Sequence, residues 1–406
     1  MIEKTLAIVL AGGSGSRLRP LTEQRTKSAL PFGGKYRVID FTLSNCLHSG
    51  LRKVLVLTQY KSHSLQKHLR DGWSIFIPEL GEYITAVPPQ MNAGDSWYTS
   101  IPNAIHQNRH LLARSGAEIA VILYGEHIYR MDYAAMIDFH KQQKGIATLA
   151  CIEPEGRNFS TFGKVAVDPD NRIREIPRNS EGNEKDCLIT MGVYVVAMRT
   201  LLECLEKKQG TKTFSGDFGL DILADLIPGN PVYAYRFGKA AGRVSIDKFW
   251  RDIDTLDSFY KTNMELLDQY APINIYQEDW PIRTYSGQHP PARTIPGDSG
   301  AEGLFLNSIV AGGVLIAGGG VQHSILFPRV YLDDQSIVEN SILFQNVRVG
   351  KKARIRNCII DKNVQVPDKE TIGYDEKKDQ QRFSISEEGI VVVPRDYRFE
   401  NRPEGI

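Results

Sequence analysis

The 406-residue chain has no excess of charge of either sign and no long apolar run. It carries 49 Lys and Arg against 48 Asp and Glu, so its net charge is +1. A protein that binds nucleic acid or an anionic membrane surface through its charge needs a basic excess, which is missing here. No run of about 18 apolar residues is present that would span a bilayer. We therefore expect an ordinary soluble globular protein with neither a nucleic-acid nor a membrane partner.

Cysteine is also scarce. The five cysteines are scattered, odd in number and never spaced as CxxC, so neither a disulfide framework nor a zinc site is indicated. Buried structural thiols are the simpler interpretation. The first residues lack the charged, apolar and cleavage segments of a signal peptide. Together these absences predict a cytoplasmic protein.

The most informative stretch of the chain runs from Leu6 to Lys35. It begins with an apolar run, Leu6–Leu10, which predicts a buried strand of a parallel sheet. The strand leads directly into a loop that contains Gly12, Gly13 and Gly15. Glycines lack the Cβ atoms that would stop the backbone from folding round a phosphate, and they leave N–H groups free to point at it. The loop follows neither of the two common phosphate-loop patterns.

Two cations follow this glycine loop. Arg17 supplies a planar, permanently charged fork that suits phosphate oxygens, and Lys27 lies ten residues further along. A glycine-rich turn with two solvated cations is the alternative. The order of strand, glycine loop, Arg and Lys favours a nucleotide phosphate site. Arg25 and Lys35, which flank Lys27, are expected to be solvated or regulatory.

From Leu6 to about Ala271, apolar runs alternate with amphipathic stretches. The runs at 54–57, 119–123, 147–150 and 193–196 predict strands, and the stretches at 61–70, 102–113, 132–143 and 198–208 predict helices. This alternation is typical of an α/β domain, Rossmann-like, with a mostly parallel sheet between helices. Ligands of such sheets bind beyond the carboxyl ends of the strands. Gly12–Arg17 and Tyr124–Glu126 both lie at such ends.

The composition and the periodicity of the sequence change at residue 272. Residues 272–300 are proline-rich and aperiodic, which predicts a linker between a first domain (1–271) and a last domain (301–406). In the last domain single apolar residues recur six apart: Ile309, Leu315, Val321 and Phe327; then Ile337, Leu343, Val349 and Ile355; then Ile360, Val366 and Ile372. This period indicates a hexapeptide β-helix, with a β meander as the alternative. Neighbouring protomers commonly cover the faces and edges of such coils, so we expect an oligomer.

The glycine loop and several longer segments resemble one family. Residues 6–35 look like the signature of sugar-nucleotide pyrophosphorylases, and the segments 32–50, 57–69, 280–285 and 382–393 resemble bacterial ADP-glucose pyrophosphorylase, or glucose-1-phosphate adenylyltransferase. The resemblance implies a nucleotidyltransferase domain followed by a left-handed β-helix. It also implies the reaction of ATP with glucose 1-phosphate to ADP-glucose and diphosphate in glycogen biosynthesis. Mg²⁺, a small phosphorylated effector, and a homotetramer or a heterotetramer with a paralogue are further expectations.

The resemblance also assigns site residues. Arg17 and Lys27 are expected to be the catalytic cations, and they share the binding of ATP with Gly12, Gly13 and Gly15. Asp252, in the segment Phe249–Ile253, matches the metal-binding aspartate of the family, and Glu126 stands at the second metal position. The sugar phosphate is expected to contact the following residues: Tyr98, Gly163, Arg178 and Thr190.

The chain departs from the family pattern at some of these positions. Glu126 replaces an Asp, and the extra methylene moves its carboxylate by roughly 1.5 Å, against a tolerance of about 0.5 Å in a catalytic constellation. Arg178 stands in place of a Lys, Pro102 stiffens a loop over the nucleotide, and Asp254 replaces a Gly. Three hypotheses therefore stay open: a working adenylyltransferase, a weakly catalytic or non-catalytic paralogue that assembles with an active subunit, and an adenylyltransferase for another sugar 1-phosphate.

Overall fold

The computed structural model describes residues 2–90, 97–154, 163–177, 187–207, 218–238, 242–244 and 247–399. The chain divides into two compact units. The first comprises Met1–Gly13, Ile39–Trp250 and Gln277–Arg283, and the second comprises Ser14–Val38, Arg251–Tyr276 and Thr284–Ile406. The domain boundaries predicted at residues 271 and 300 stay predictions.

A nine-stranded mixed sheet forms the centre of the first unit. Its central strand, Thr5–Ala11, is buried along its whole length and pairs in parallel with Lys53–Thr58 and Ile119–Tyr124. The other strands of the sheet are Tyr83–Val87, Ala147–Ile152, Lys164–Val167, Ile173–Glu175, Cys187–Ala197 and Val232–Arg236. The predicted run of apolar residues before the glycine loop is thus the middle of the parallel part of the sheet.

The antiparallel part of the sheet is built on the long strand Cys187–Ala197. It pairs antiparallel with Ile119–Tyr124, Ala147–Ile152 and Lys164–Val167. Its register shifts near Gly192, whose φ of 70° lies in the left-handed region that a side chain disfavours. The sheet is therefore mixed, and its parallel strands are the ones that end at the predicted phosphate loop.

Six α-helices accompany the sheet in the described part of the first unit: Val38–His48, His63–Trp73, Ile101–Gln107, Arg109–Arg114, Tyr133–Gln143 and Met198–Lys207. The predicted helix 102–113 is divided at Asn108. The side-chain amide of Asn108 donates to the Ala104 carbonyl and to the Tyr98 hydroxyl, both at 2.8 Å. No helix among the described residues is long and apolar enough to cross a membrane. The strand core consists of aliphatic side chains such as Ile8, Ile122 and Leu149.

The second unit contains a parallel β-helix with three sheets. The strands of the first sheet are Arg293–Ile295, Leu315–Ala317, Tyr331–Leu332, Arg348–Val349 and Gln365–Val366. Those of the second sheet are Leu304–Leu306, Gly320–Gln322, Ile337–Glu339, Arg354–Arg356 and Thr371–Ile372. Those of the third sheet are Ile309–Val310, Ile325–Leu326, Ile342–Leu343, Cys358–Ile360, Val391–Val393 and Ser384–Ile385. Each strand pairs in parallel with the strand one coil later, except the last pair, which is antiparallel. The predicted fold class, an α/β nucleotidyltransferase domain followed by a left-handed β-helix, is confirmed.

From Gly320 onward one coil of this β-helix takes 17 residues, since Gly320 pairs with Ile337 and Ile337 with Arg354. The coil before it takes 16, since Leu304 pairs with Gly320. Two sides of a 17-residue coil take six residues and the third takes five. The interior is a ladder of single buried side chains: Ile316, Val321, Leu326, Leu332, Val338, Leu343, Val349, Ile355, Ile360, Val366 and Ile372. A strict period of six therefore drifts by one residue per coil.

The phase of the predicted repeat differs from this ladder at four positions, and at one of them, Phe327, the ladder residue is the preceding one, Leu326. Ile309 and Leu315 are only half-buried, and Ile337 is 38% exposed. The side chain that points into the coil is in each case the next one, Val310, Ile316 and Val338.

Asparagines mark the corners between the coils. Asn340 and Asn357 have φ of 45° and 51°, and Asn346 and Asn363 both have φ of 64°. Asn tolerates this left-handed backbone better than most residues because its short side chain bonds locally. The side-chain amide of Asn346 donates to Asn363 Oδ1 at 2.9 Å, so a hydrogen bond links this corner to the corresponding corner of the next coil.

A helix and the segment after the glycine loop also belong to the second unit. The helix Leu256–Met264 begins with a capping box between Thr255 and Ser258. Its Tyr260 hydroxyl donates to the Asn340 carbonyl at 2.6 Å. The remaining α-helix described here is Glu376–Gln380.

Candidate functional site

A cavity of about 330 Å³ opens in the first unit at the carboxyl ends of three neighbouring parallel strands. Each strand contributes one side chain near its end and one or two residues after it. The lining residues are Leu10, Gly12, Gly13, Leu57, Gln59, Tyr124 and Glu126, with Tyr98, Thr99, Ser100, Ile101 and Ala104 from a further segment. The walls are mostly apolar with a few polar groups, as in small-molecule sites.

Tyr98 is fixed in this cavity by its backbone and by its hydroxyl. The Tyr98 N–H donates to Gln59 Oε1 at 2.8 Å, and Gln59 Nε2 donates to the Tyr98 carbonyl at 3.1 Å. The Tyr98 hydroxyl accepts from the Asn108 amide at 2.8 Å. Partial burial raises the pKa of this phenol, so the hydroxyl is neutral at physiological pH and acts as a hydrogen-bonding group.

The half-buried carboxylate of Glu126 lies directly against Gly13. A Cβ atom on Gly13 would lie 2.6 Å from Glu126 Oε1, which is closer than such contacts normally come. Gly13 does not have a positive φ, so a side chain at this position would displace the Glu126 carboxylate without straining the backbone angle. The structure thus brings the first predicted metal ligand up to the glycine loop.

Lys27 is the centre of an ion-pair cluster in the second unit. Its side chain is only 4% exposed, and its Nζ lies 2.7 Å from Asp252 Oδ1 and 2.9 Å from Asp254 Oδ1. A buried ammonium is costly unless it is paired. The two carboxylates satisfy that need, and they place the predicted catalytic lysine next to the second predicted metal ligand.

Arg17 joins the same cluster through Asp254. Its guanidinium forms a salt bridge with the Asp254 carboxylate, and its own side chain is 56% exposed. Gly15, between the glycine loop and Arg17, has φ of 58°, and a Cβ on it would meet Thr22 and Lys27 at 3.0 and 3.2 Å. Gly15 is therefore required both by its backbone and by the space beside Lys27.

Two of the predicted sugar-phosphate residues contact each other in the first unit. The Thr190 N–H donates to the Gly163 carbonyl at 3.1 Å, and a Cβ on Gly163 would lie 3.2 Å from the Thr190 methyl group. Thr190 is 3% exposed, and its hydroxyl donates to the Tyr194 hydroxyl at 3.4 Å. The Gly163–Thr190 contact leaves little room at this position for a side chain. Arg178 lies outside the described residues.

The predicted metal ligands belong to different units, Glu126 to the first and Asp252 to the second. The described residues contain no cluster of three or more His, Cys, Asp or Glu that would hold a metal ion by itself. Mg²⁺ usually takes one or two protein carboxylates and completes its shell with water and substrate phosphates. Glu126 and Asp252 are carboxylates of the kind that Mg²⁺ takes as ligands, and their assignment to a metal ion stays a prediction.

Arg25 is not solvated, in contrast to the expectation from the sequence. It is 3% exposed, and its Nη2 lies 2.5 and 2.6 Å from the two carboxylate oxygens of Asp361, which is also buried. Beside this pair, burial and the charges of Arg37 and Arg25 lower the pKa of Lys362 to about 7. Lys35 is exposed, as expected.

Sequence reasoning assigned no role to Gln59 or Asp254. Gln59 follows the second parallel strand, and its position one residue after a strand end was the available signal. In the sequence Asp254 is a departure from the family pattern, in place of a Gly. Asp254 lies two positions after Asp252 in the sequence, and this spacing is the only sequence feature that places both carboxylates near Lys27.

Two family models match the chain. The model of the nucleotidyl transferase family matches residues 6–269, and the model described as GlmU-like, C-terminal hexapeptide matches residues 290–393. A glucose-1-phosphate adenylyltransferase 2 of Vibrio parahaemolyticus is 53% identical over 405 residues, which cover 98% of this chain and 100% of the relative. The protein of the same name from Vibrio cholerae is 51% identical over 98% of this chain and 99% of its own. A glucose-1-phosphate adenylyltransferase of Methylococcus capsulatus is 39% identical over 98% of this chain and 94% of its own.

The matched models and the cavity at the strand ends define a nucleotidyltransferase with a hexapeptide-repeat domain. Sequence identity of 53% and 51% over nearly the full length of both relatives also shows the particular family within this class. The chain belongs to the glucose-1-phosphate adenylyltransferase family, an enzyme family, and the resemblance inferred from the sequence is confirmed.

Proposed function

We propose that the chain transfers the adenylyl group of ATP to glucose 1-phosphate, giving ADP-glucose and diphosphate, in glycogen biosynthesis. The observation that carries this proposal is the similarity over 98% of the chain to proteins named for that activity. The cavity at the strand ends, with the glycine loop on its wall, suits a nucleotide of that size class.

The reaction needs alignment and charge stabilisation rather than covalent chemistry on the protein. An oxygen of the sugar phosphate attacks the α-phosphorus of ATP, and diphosphate leaves. Arg17 and Lys27 are the proposed cations for the leaving phosphates, because a preorganised positive charge stabilises the charge that develops there. The N–H groups of Gly12, Gly13 and Gly15 are the proposed cradle of the same phosphates.

We also propose Mg²⁺ as the cofactor, with Glu126 and Asp252 each as a carboxylate ligand. When bound, the ion would neutralise phosphate charge and orient the reacting groups. Asp252 accepts a hydrogen bond from Lys27 Nζ at 2.7 Å, which fixes the position of its carboxylate. Tyr98, Gly163, Thr190 and Arg178 are the proposed contacts of the sugar phosphate.

The proposed activity is tested by pyrophosphate release from ATP, Mg²⁺ and glucose 1-phosphate with the purified chain. We expect turnover well above the reaction without enzyme, and none when another sugar 1-phosphate replaces glucose 1-phosphate. Background release that Glu126→Asp combined with Arg178→Lys does not restore would favour the paralogue that assembles with an active subunit. Turnover with a different sugar only would favour the third hypothesis.

A homotetramer is proposed as the assembly, with a heterotetramer as its alternative. The strand Leu304–Leu306 lies at the end of its sheet and exposes 57%, 46% and 60% of its three apolar side chains. Such an edge is normally covered in a native protein. All five cysteines are free thiols, which suits the proposed cytoplasmic location.

A small phosphorylated effector is the proposed regulator, and the basic cluster of the second unit is its proposed site. The charges of Arg25 and Arg37 act on Lys362 there, and the buried carboxylate of Asp361 pairs with Arg25. Within the described residues Arg25 Nη1 has no hydrogen-bond partner. An anion would supply the missing acceptor and relieve the repulsion among the cations.

This site makes anion binding depend on pH. With a pKa of about 7, Lys362 is mostly neutral at pH 8, and a bound anion would raise its pKa and make it take up a proton. We expect uptake of close to one proton per sulfate at pH 8 and little at pH 6, measured by calorimetry in buffers of different ionisation enthalpy. Sulfate is the probe because it does not titrate in this range. Lys362→Met should abolish the uptake, while Lys377→Met, at an exposed position, should not. Binding without any buffer dependence would contradict the proposed role of Lys362.

A further inference from the structure

Asp254 holds both of the cations that the proposed function assigns to the triphosphate. Its carboxylate forms a salt bridge with Arg17, and its Oδ1 lies 2.9 Å from Lys27 Nζ. Among the described residues, no other carboxylate is seen to contact both side chains. One carboxylate therefore pairs with both of the cations that a polyphosphate would use, and Asp252 is a second partner of Lys27 alone.

Asp252 does not share this arrangement. It contacts Lys27 alone among the two cations, it belongs to the strand Trp250–Asp252, and it is 12% exposed. Asp254 follows the strand, is 27% exposed and pairs with an Arg17 side chain that is 56% exposed. The two carboxylates that contact Lys27 thus differ in position and exposure. Asp252 belongs to a strand, whereas Asp254 follows that strand and is the more exposed of the two.

We propose that Asp254 is a built-in competitor of the nucleotide, which sets the affinity of the chain for ATP. This inference rests on the proposed function, because it takes Arg17 and Lys27 as ligands of the triphosphate. The Asp254 carboxylate must leave both cations before phosphate oxygens take its place. Its removal leaves Arg17 without this carboxylate and Lys27 with Asp252 alone, and it strengthens the binding of any polyphosphate.

The ion pairs that Asp254 forms are weak enough for the phosphates of ATP to displace its carboxylate. Partly exposed ion pairs are worth little because solvent and salt screen them. A triphosphate brings up to four negative charges and bidentate oxygens that match the guanidinium fork of Arg17. The carboxylate therefore weakens the binding of ATP without preventing it.

The discriminating variant is Asp254→Asn, which keeps the shape of the side chain and removes its charge. We expect it to bind ATP and inorganic pyrophosphate about tenfold more tightly than the unchanged chain in calorimetry. Adenosine, which has no phosphates, should bind with unchanged affinity. Asp268→Asn is the matched control, because Asp268 is an exposed acid of the same unit and its loss changes the net charge equally.

Unchanged or weaker binding of ATP by Asp254→Asn would overturn the inference, because Asp254 would then position the cations instead of competing for them. An equal gain in Asp268→Asn would also overturn it, because the effect would then be one of net charge. Thermal unfolding of each variant reports whether it is folded, and Asp254→Gly provides a second variant without the carboxylate.

The proposed function and this inference fail in different ways. If neither the unchanged chain nor Asp254→Asn binds ATP or pyrophosphate, both are overturned. If the unchanged chain binds ATP and releases pyrophosphate but the variant binds no more tightly, only the inference about Asp254 fails. If Arg17→Ala reduces the gain caused by Asp254→Asn, the competition is supported as acting through Arg17.

Discussion

Replacement of Lys27 by Met is expected to lower kcat/KM for pyrophosphate release by about a thousandfold. Removal of one preorganised charge or donor at the reacting centre typically costs 10²- to 10³-fold, and Lys27 is a full charge. It is only 4% exposed and lies 2.7 Å from Asp252 Oδ1. The effect should appear mainly in kcat, because charge develops on the departing diphosphate during the reaction.

The same replacement should also destabilise the fold. It leaves the carboxylates of Asp252 and Asp254 without their buried cation, and breaking a buried pair costs about 3–5 kcal/mol. The rate must therefore be divided by the folded fraction from thermal unfolding. Lys35→Met is the matched control, because Lys35 is exposed in the same segment and should change neither quantity. A folded Lys27→Met variant within tenfold of the normal rate would contradict the role of Lys27.

Much of the fold was predictable because its signals are local. The run Leu6–Leu10 predicts a buried strand, and it forms the middle of the strand Thr5–Ala11. The apolar period near six predicts the β-helix even though the true coil has 17 residues. The prediction for Ile337 was wrong by one position because the short third side of each coil is set by stacking against the coils before and after it.

The ion pairs of the site were not predictable in the same way. Lys27 and Asp254 are 227 residues apart, and Arg25 and Asp361 are 336 apart. A sequence shows that such groups exist, but the fold decides which of them meet. The expectation that Arg25 is solvated or regulatory did not foresee its burial, because the burial follows from a partner, Asp361, that no local pattern indicates.

The contact between Gly13 and Glu126 leads to the second large effect. Gly13→Ala would place a Cβ atom 2.6 Å from Glu126 Oε1. The atom that must yield is the end of a flexible side chain, so the stability should change little while the carboxylate moves by about 1 Å. Displacement of that size in a catalytic group costs on the order of a hundredfold in rate. We expect a loss of that size in kcat, with a thermal unfolding midpoint close to normal.

A loss of activity in Gly13→Ala alone would not separate a displaced carboxylate from a blocked phosphate cradle, so the second substitution decides. Aspartate at position 126 has one methylene less and withdraws its carboxylate from the new methyl group. Glu126→Asp should therefore recover about tenfold of the lost rate in the Gly13→Ala background, which is a coupling of about 1.4 kcal/mol in a double-mutant cycle. Gly320→Ala is the control for adding a methyl group, since a Cβ at Gly320 meets nothing within 4 Å. If the effects of Gly13→Ala and Glu126→Asp simply add, the carboxylate of Glu126 is not what glycine at position 13 makes room for.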